Sequence, residues 1–365
     1  MAVNHHLLKL AREARGWTQK QVAEGAGIAQ GSLSKYEKGL QEPSDAQVAR
    51  IAATLDYPVG FFGQLEARPA AVLYRTRVLR SAKLEAQVRA RLNLARLAVG
   101  RLLEDMQIEM VARFPGPDQH YPSPERAAAD LRAAWGIVPG PIESVSELIE
   151  LAGGIVVRLD MGTDQAIAAY LHPLGDPIRW FFINTRVSAG DRVRFSLAHE
   201  LGHAVLHEAA LIPDTREAEN EVNRFAGAFL LPQSDLLAEL PRRRLTLPDL
   251  LTLKRIFGVS MQSVAVAAQQ AGAISRDELT RLYRELGYRG WRVNEPGDIP
   301  VEQPTVLRQV LDIHRREHGF TDDELARLTH VSADVLADLL PDYFQLPRER
   351  RLRVVSARRH PGATG

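Results

Sequence analysis

The sequence predicts a mainly helical protein with a small β-sheet, an α+β chain of more than one domain, and three observations predict it. Apolar residues recur every three or four positions through most of the chain, which is the helical period. Between about 154 and 183 that period gives way to three short runs rich in β-branched and aromatic residues. The length, 365 residues, exceeds what one ordinary core organises, so two or three domains are expected. Apolar residues make up 45% and charged residues 25%, the balance of a soluble globular chain. There is no cysteine, which excludes disulfides, zinc ribbons and thiol nucleophiles; any metal site must use histidine and carboxylate ligands. No apolar run approaches the roughly 20 residues that span a bilayer. The N-terminus becomes charged too early for a secretory signal, so no membrane partner and a cytoplasmic location are expected.

Residues 4–60 read as four or five short helices with tight breaks. Leu7, Leu8, Leu10 and Ala11 form the apolar side of the first, which ends near Gly16. Thr18 caps a second helix containing Val22 and Ala23, and the glycines at 25 and 27 stop it. A third runs from Ile28 through Leu33 and Tyr36 to Gly39. Pro43, Ser44 and Asp45 then open a fourth, with Val48, Ile51, Ala52 and Leu55 at helical spacing. A three-residue turn between the second and third helices is the helix-turn-helix pattern. The stretch LLKLAREARGWTQKQVAEGAGIAQGSLSKYEKGLQEPS, with the closing LDYPVGFF, resembles the Xre/Cro family of repressor DNA-binding domains over about the first 62 residues. The resemblance implies that Gln19 clamps phosphate, that Gln30, Ser32 and Lys35 face base edges in the major groove, and that Lys38 meets the backbone. It also implies a double-stranded DNA operator as partner and a homodimer that reads paired half-sites. Gly31 stands where family members often carry a longer side chain, so poorer direct readout is expected.

From 77 to 113, Leu84, Val88, Leu92, Ala95, Val99, Leu102 and Met106 recur three or four residues apart, as in one long connector helix that could serve as a dimer interface. Arginines cluster over 68–113 and again over 348–359; such runs suit phosphate contacts or solvated helix faces equally. Pro115, Pro117, Pro122 and Pro124 mark a boundary. Residues 124–152 look helical, with Leu131, Trp135, Val145, Leu148 and Ile149 as core. Three strands follow at 154–159, 166–171 and 178–183, read as a small antiparallel sheet whose edge could bind an extended substrate backbone.

The helix expected at about 190–208 carries the most informative pentapeptide, His199-Glu-Leu-Gly-His203. Histidines four residues apart share a helix face and can reach one metal ion, while Glu200 lies beside the position where an activated water would sit. A catalytic zinc site needs a third protein ligand. His207 continues the row but lies about 6 Å further along the axis, so it reads as a packing or outer-sphere residue. A second helix, 214–232, opens with a possible capping box of Asp214 and Glu217, and Val222, Phe225, Ala226 and Phe229 form its buried stripe. Glu219 and Glu221 border that stripe on opposite edges, and helical phase alone does not choose between them. Asn223, one turn after Glu219 and placed to hold a metal-bound histidine, favours Glu219.

RVRFSLAHELGHAVLH followed by ENEVNRFAGAFLLP resembles the ImmA/IrrE family of zinc metallopeptidases, and the likeness continues through LTLKRIFGVSMQSVAVAAQQAGAIS and GWRVNEP. The resemblance implies one zinc ion on His199, His203 and, most naturally, Glu219, with Glu200 as general base. Val222 replaces the alanine usual before the Asn of the glutamate helix. Residues 240–290 are expected as helices behind the site, the stretch 255–264 as a helical pair with the look of a degenerate helix-turn-helix, and 302–345 as a further helical segment of similar flavour. The resulting division is a helix-turn-helix domain at 1–66, a connector at 67–122, a zincin-like metallopeptidase domain at 123–300 and a helical C-terminal segment at 301–365. The expected function is a DNA-binding transcriptional regulator fused to a zinc endopeptidase. It would cleave a specific repressor- or antitoxin-like protein in a stress or mobile-element response. The alternative is a non-proteolytic repressor or antitoxin whose zinc is structural or sensory.

Overall fold

A computed structural model describes residues 2–64, 81–116, 119–172, 176–207 and 216–344. The first domain contains α1 (His5–Ala14), α2 (Gln19–Ala26), α3 (Gln30–Glu37), α4 (Asp45–Leu55) and a 3-10 turn at Val59–Gly63. Local chemistry sets its breaks. The Thr18 hydroxyl accepts from the Gln21 amide while the Gln21 side chain accepts from the Thr18 amide, and Ser44 and Gln47 repeat this reciprocal cap on α4. Gly27, in the left-handed region at φ 61°, ends α2 and turns the chain into α3.

The connector helix is shorter and more buried than its periodicity suggests. It is α5 (Ala82–Leu103), and it stops where Asp105 takes a left-handed conformation, φ 67°, although Met106 continues the apolar spacing. Beyond it, the amides of Val111 and Ala112 bond to the Leu151 carbonyl. Val88, Leu92, Ala95, Val99 and Leu102 are buried as expected, but so are Ala90, Leu94 and Ala98 on other sides, and α1 packs along it. Its apolar residues are thus covered within the chain. Three arginines of the basic run are likewise paired internally: Arg91 with Asp338, Arg96 with Asp176 and Arg101 with Glu104. Arg68, Arg75, Arg77, Arg80 and the basic stretch 348–359 lie outside the described residues.

Next come α6 (Pro124–Ala134), α7 (Val145–Leu151), β1 (Gly154–Leu159), β2 (Ala168–Leu171) and β3 (Arg179–Asn184). The sheet is mixed, not antiparallel. Its order is β1-β3-β2, with β1 parallel and β2 antiparallel to β3. The chain must therefore cross the end of β3 between β1 and β2, and Asn184 staples that crossing. Its fully buried side chain donates to the carbonyls of Thr163 and Ala166 and accepts from the amides of Met161 and Arg186. Both faces of the sheet are covered. Ile155, Val157, Leu171, Trp180 and Phe182 join a core with the first domain, α5 and the C-terminal helices. Val156, Tyr170, Phe181 and Ile183 join a second core with the helices that follow the sheet.

That second core is completed by α8 (Gly190–Leu206), α9 (Arg216–Leu230), α10 (Gln233–Glu239), α11 (Leu247–Phe257), α12 (Met261–Gln270) and α13 (Arg276–Tyr288). The chain ends, as described, with α14 (Val306–Arg316), α15 (Asp322–Leu328) and α16 (Ala333–Leu339), packed into the first core. Among the described residues no single helix is long and apolar enough to cross a membrane.

Candidate metal centre

α8 is held by buried ion pairs at its start. Asp191 and Glu295 both accept from Lys254 Nζ, at 2.7 and 3.1 Å. Burial alone would lower the Lys254 pKa, but these two carboxylates hold it above its ordinary value. One turn on, Arg194 donates to Glu302 at 2.8 Å and to the carbonyls of Ile142 and Glu143. Glu302 in turn accepts from the amides of Val145 and Ser146, tying α7 to α8. A Cβ on Gly190 would meet the carbonyl oxygens of Ile299 and Pro300, so the segment after α13 crosses directly over the helix start.

This anchored helix presents His199, Glu200 and His203, all buried at 5–6% exposure. α9 crosses it at Gly202, where an added Cβ would lie 3.0 Å from Phe225 and 3.2 Å from Val222. The glycine inside the pentapeptide thus sets how closely the two helices approach, a role its spacing alone did not reveal. Close approach brings Glu219 to the histidines. Its two carboxylate oxygens lie 3.7 Å from His199 Nε2 and 3.7 Å from His203 Nε2. Among the described residues these three form a group able to hold an ion, with ligand atoms all within 4.8 Å of one another. Zinc bonds of 2.0–2.1 Å in a tetrahedron separate ligand atoms by roughly 3.4 Å, so the donor set fits one such ion.

The outer nitrogens of both rings are also held. His199 Nδ1 is 3.0 Å from Asn223 Oδ1; an amide oxygen only accepts, so this nitrogen carries the proton and Nε2 keeps its lone pair for a metal. His203 reaches the same tautomer by a longer route. Its Nδ1 is 3.2 Å from His207 Nδ1, and His207 Nε2 is 3.1 Å from Glu221 Oε2. The Glu221 carboxylate accepts from His207 Nε2–H, which leaves His207 Nδ1 to accept from His203 Nδ1–H. Glu219 and Glu221, indistinguishable by helical phase, thus occupy different places: one faces the histidine Nε2 atoms, the other ends the His207 chain. Asp214 of the expected capping box lies outside the described residues. Tyr170 is buried in the core against Phe181, with ring centroids 4.9 Å apart.

In the first domain, Gln30, Lys35 and Lys38 are exposed on or just after α3, and Ser32 is half-buried there. Gln19 is half-buried, and its side-chain amide donates to Glu37 at 2.9 Å. Arg12 grips the same carboxylate with two bonds of 2.6 and 2.9 Å, fixing α1 to α3.

Fold and site together define a helix-turn-helix DNA-binding domain joined to a metallopeptidase-like domain. Residues 8–62 match the helix-turn-helix family of the Xre type, and residues 153–269 match peptidase family M78, the IrrE N-terminal-like domain, a zinc peptidase family. No curated protein matches the chain. The chain carries both domains, and the His199, His203 and Glu219 group falls within the second.

Proposed function

We propose that the protein is a cytoplasmic, DNA-binding transcriptional regulator whose M78 domain is a zinc endopeptidase directed at one regulatory protein of the repressor or antitoxin kind. The observation that carries this reading is one glutamate whose two carboxylate oxygens face the Nε2 atoms of two histidines on the neighbouring helix. A zinc ion held by His199, His203 and Glu219 would acidify water and polarise a peptide carbonyl. Glu200, next along the helix from His199, takes the proton of the attacking water on its carboxylate and returns it to the departing amine nitrogen. Asn223 and His207 hold the ligand rings in the required tautomer, with Glu221 behind His207. β2 is an edge of the sheet and packs against α8, so an extended substrate can pair with it beside the site. In the first domain, Gln30, Ser32 and Lys35 read base edges of an operator, Gln19 and Lys38 meet its backbone, and a homodimer spans paired half-sites.

The test is incubation of the zinc-loaded protein with the products of neighbouring genes, read by mass spectrometry. The wild type should give one discrete cut, and Glu200→Gln should bind zinc yet give none. Equal cleavage by the variant would sink the assigned mechanism. One observation favours the alternative of a non-proteolytic repressor or antitoxin with a structural or sensory zinc. At 5–6% exposure the two histidines and Glu200 are as enclosed as core residues. Under that reading zinc removal changes operator affinity and no candidate protein is cut.

A further inference from the structure

The C-terminal helices repeat the first domain's helix-turn-helix, position for position, 303 residues later. Gly16 and Gly319 both sit at φ 69° before an aromatic residue, Trp17 or Phe320. Thr18 with Gln21 and Thr321 with Glu324 form the same reciprocal cap. Gly27 and His330 both make the left-handed turn, at φ 61° and 57°. The bond from Ile28 N to the Ala23 carbonyl, 2.9 Å, recurs from Val331 N to the Ala326 carbonyl, 3.1 Å. Leu7, Leu8, Val22 and Leu33 become Val310, Leu311, Leu325 and Leu336, all buried. Thus α14, α15 and α16 correspond to α1, α2 and α3, and α16 stands where a recognition helix stands.

Its chemistry is opposite. Residues 18–39 carry Lys20, Lys35 and Lys38 against Glu24 and Glu37. The matching residues, 321–342, carry Arg327 alone against Asp322, Asp323, Glu324, Asp334, Asp338 and Asp342. Lys35 becomes Asp338, and Ser32 becomes the buried Val335. A polyanionic duplex would be repelled by such a face. Its carboxylates, still partly open to solvent, are instead gripped by arginines of the same chain. The buried Arg91 of α5 donates to the Asp338 carboxylate at 2.8 Å and to its carbonyl at 2.9 Å, and Arg158 of β1 donates to Asp342. The Asp160 amide, just past β1, donates to the Leu339 carbonyl at 2.9 Å. At the other end of α16, Ser332 Oγ donates to the Asp56 carbonyl of the first domain at 3.0 Å.

We propose that residues 305–344 are a second helix-turn-helix that has exchanged DNA for protein. Its acidic recognition helix takes the arginine of α5, and Asp342 just beyond it takes that of β1, so that the unit clamps the DNA-reading domain to the sheet of the second domain. Asp338 on α16 and Asp342 just after it receive guanidinium groups from the same chain, so a short helix and its flanks touch all three parts at once.

The clamp is tested on the full chain by hydrogen exchange. Asp338→Asn with Asp342→Asn keeps shape and removes both charges. It should speed exchange of 332–344 and of the Asp160 amide roughly tenfold, leaving α8 and α9 unchanged. Arg91→Lys, which loses the two-pronged grip, should do the same and guards against misfolding of the double variant. Unchanged exchange in both variants would overturn the clamp. A second arm cross-links the wild type to a bromodeoxyuridine-substituted duplex of random sequence at low salt. Adducts should fall within 30–38 and none within 333–342; adducts on α16 would overturn the exchange of roles. A duplex that labels neither unit would count against DNA reading by α3, and the exchange result would still decide the clamp.

Discussion

On one face of the sheet, Val156, Tyr170, Phe181 and Ile183 look toward the helices of the candidate metal centre; on the other, Ile155, Val157, Trp180 and Phe182 look toward α5, the helix-turn-helix domain and the C-terminal unit. The two sides are built differently. Around the candidate metal centre, buried polar atoms are placed by chains of hydrogen bonds, Asn223 to His199 and Glu221 through His207 to His203. On the opposite side the centre is apolar and the charges sit at its rim, as Arg91 with Asp338 and Arg158 with Asp342. Metal-side changes should therefore act on chemistry through a few atoms, and reader-side changes through packing. The strands are shared, so they are where the two could be coupled.

The sharpest way to break this division is to remove a ligand. His203→Ala leaves two donors and should lower zinc affinity by more than about 100-fold, beyond what an outer-sphere change does. Operator affinity should stay within about twofold, since the reader lies across the sheet. Zinc content by mass spectrometry and DNA binding by fluorescence anisotropy check the two halves. A parallel collapse of DNA binding would mean that the halves are not separable.

Adjacent residues on β3 give the next largest effect. Phe181 and Phe182 are both fully buried but enter opposite cores. Either change to alanine should cost about 3–5 kcal/mol. Phe181→Ala should weaken zinc binding first and Phe182→Ala DNA binding first. Chemical denaturation, with both ligands titrated below the transition, separates them; identical profiles would show that the sheet transmits every change to both sides.

Within the metal side, the two outer-sphere chains can be ranked. Asn223→Ala and His207→Ala should each reduce zinc affinity by about 10–100-fold, because each releases a ring from its metal-ready tautomer. Glu221→Gln should cost less than His207→Ala, since a neutral amide can still accept the His207 proton. Competition with a chelator measures all three. A Glu221 change as damaging as removal of a direct ligand would require Glu221 to reach the ion itself.

Much of this was legible in the sequence, and what was not has identifiable physical reasons. Thr18, Ser44 and Gly27 announce their helix ends because each does a local job that only a few residue types can do. The pairing of His199 with His203 is legible for the same reason, since i and i+4 share a face. Sheet topology was not. Runs such as Ile155-Val-Val157 and Trp180-Phe-Phe-Ile183 are apolar throughout because both faces are buried, and such runs do not say which strand pairs with which. The end of α5 was missed because Met106 keeps the helical period while Asp105 breaks the backbone. Helical phase alone did not separate Glu219 from Glu221; Asn223 favoured Glu219, and the close approach of α9 at Gly202 is what brings Glu219 to face the histidines. The C-terminal repeat hides because its cap and core positions recur while its charges reverse.

The smallest effect expected concerns how the metal side is held at its outer edge, where α11 begins. Asp249 accepts two bonds of 2.7 Å from Arg243 and also caps the helix through Thr246. The Arg243 pairing, with the Thr246 bonds, outweighs partial burial and pulls the Asp249 pKa down from 3.8 to about 2. A carboxylate with a depressed folded-state pKa stabilises the fold above its unfolded value and loses that contribution as pH falls toward the folded value. Wild type should therefore melt above Asp249→Asn by about 1–3 °C at pH 6, the scale of an exposed pair. The gap should close between pH 4 and pH 2. High salt at pH 6 should narrow it as well, because the pair is exposed to screening. Calorimetry at four or five pH values checks this, with zinc binding monitored in parallel. If the gap persists unchanged at pH 2, the bond to Arg243 is not what holds α11, and the apolar contacts of Leu250 and Leu253 behind it must carry that edge of the metal-side core.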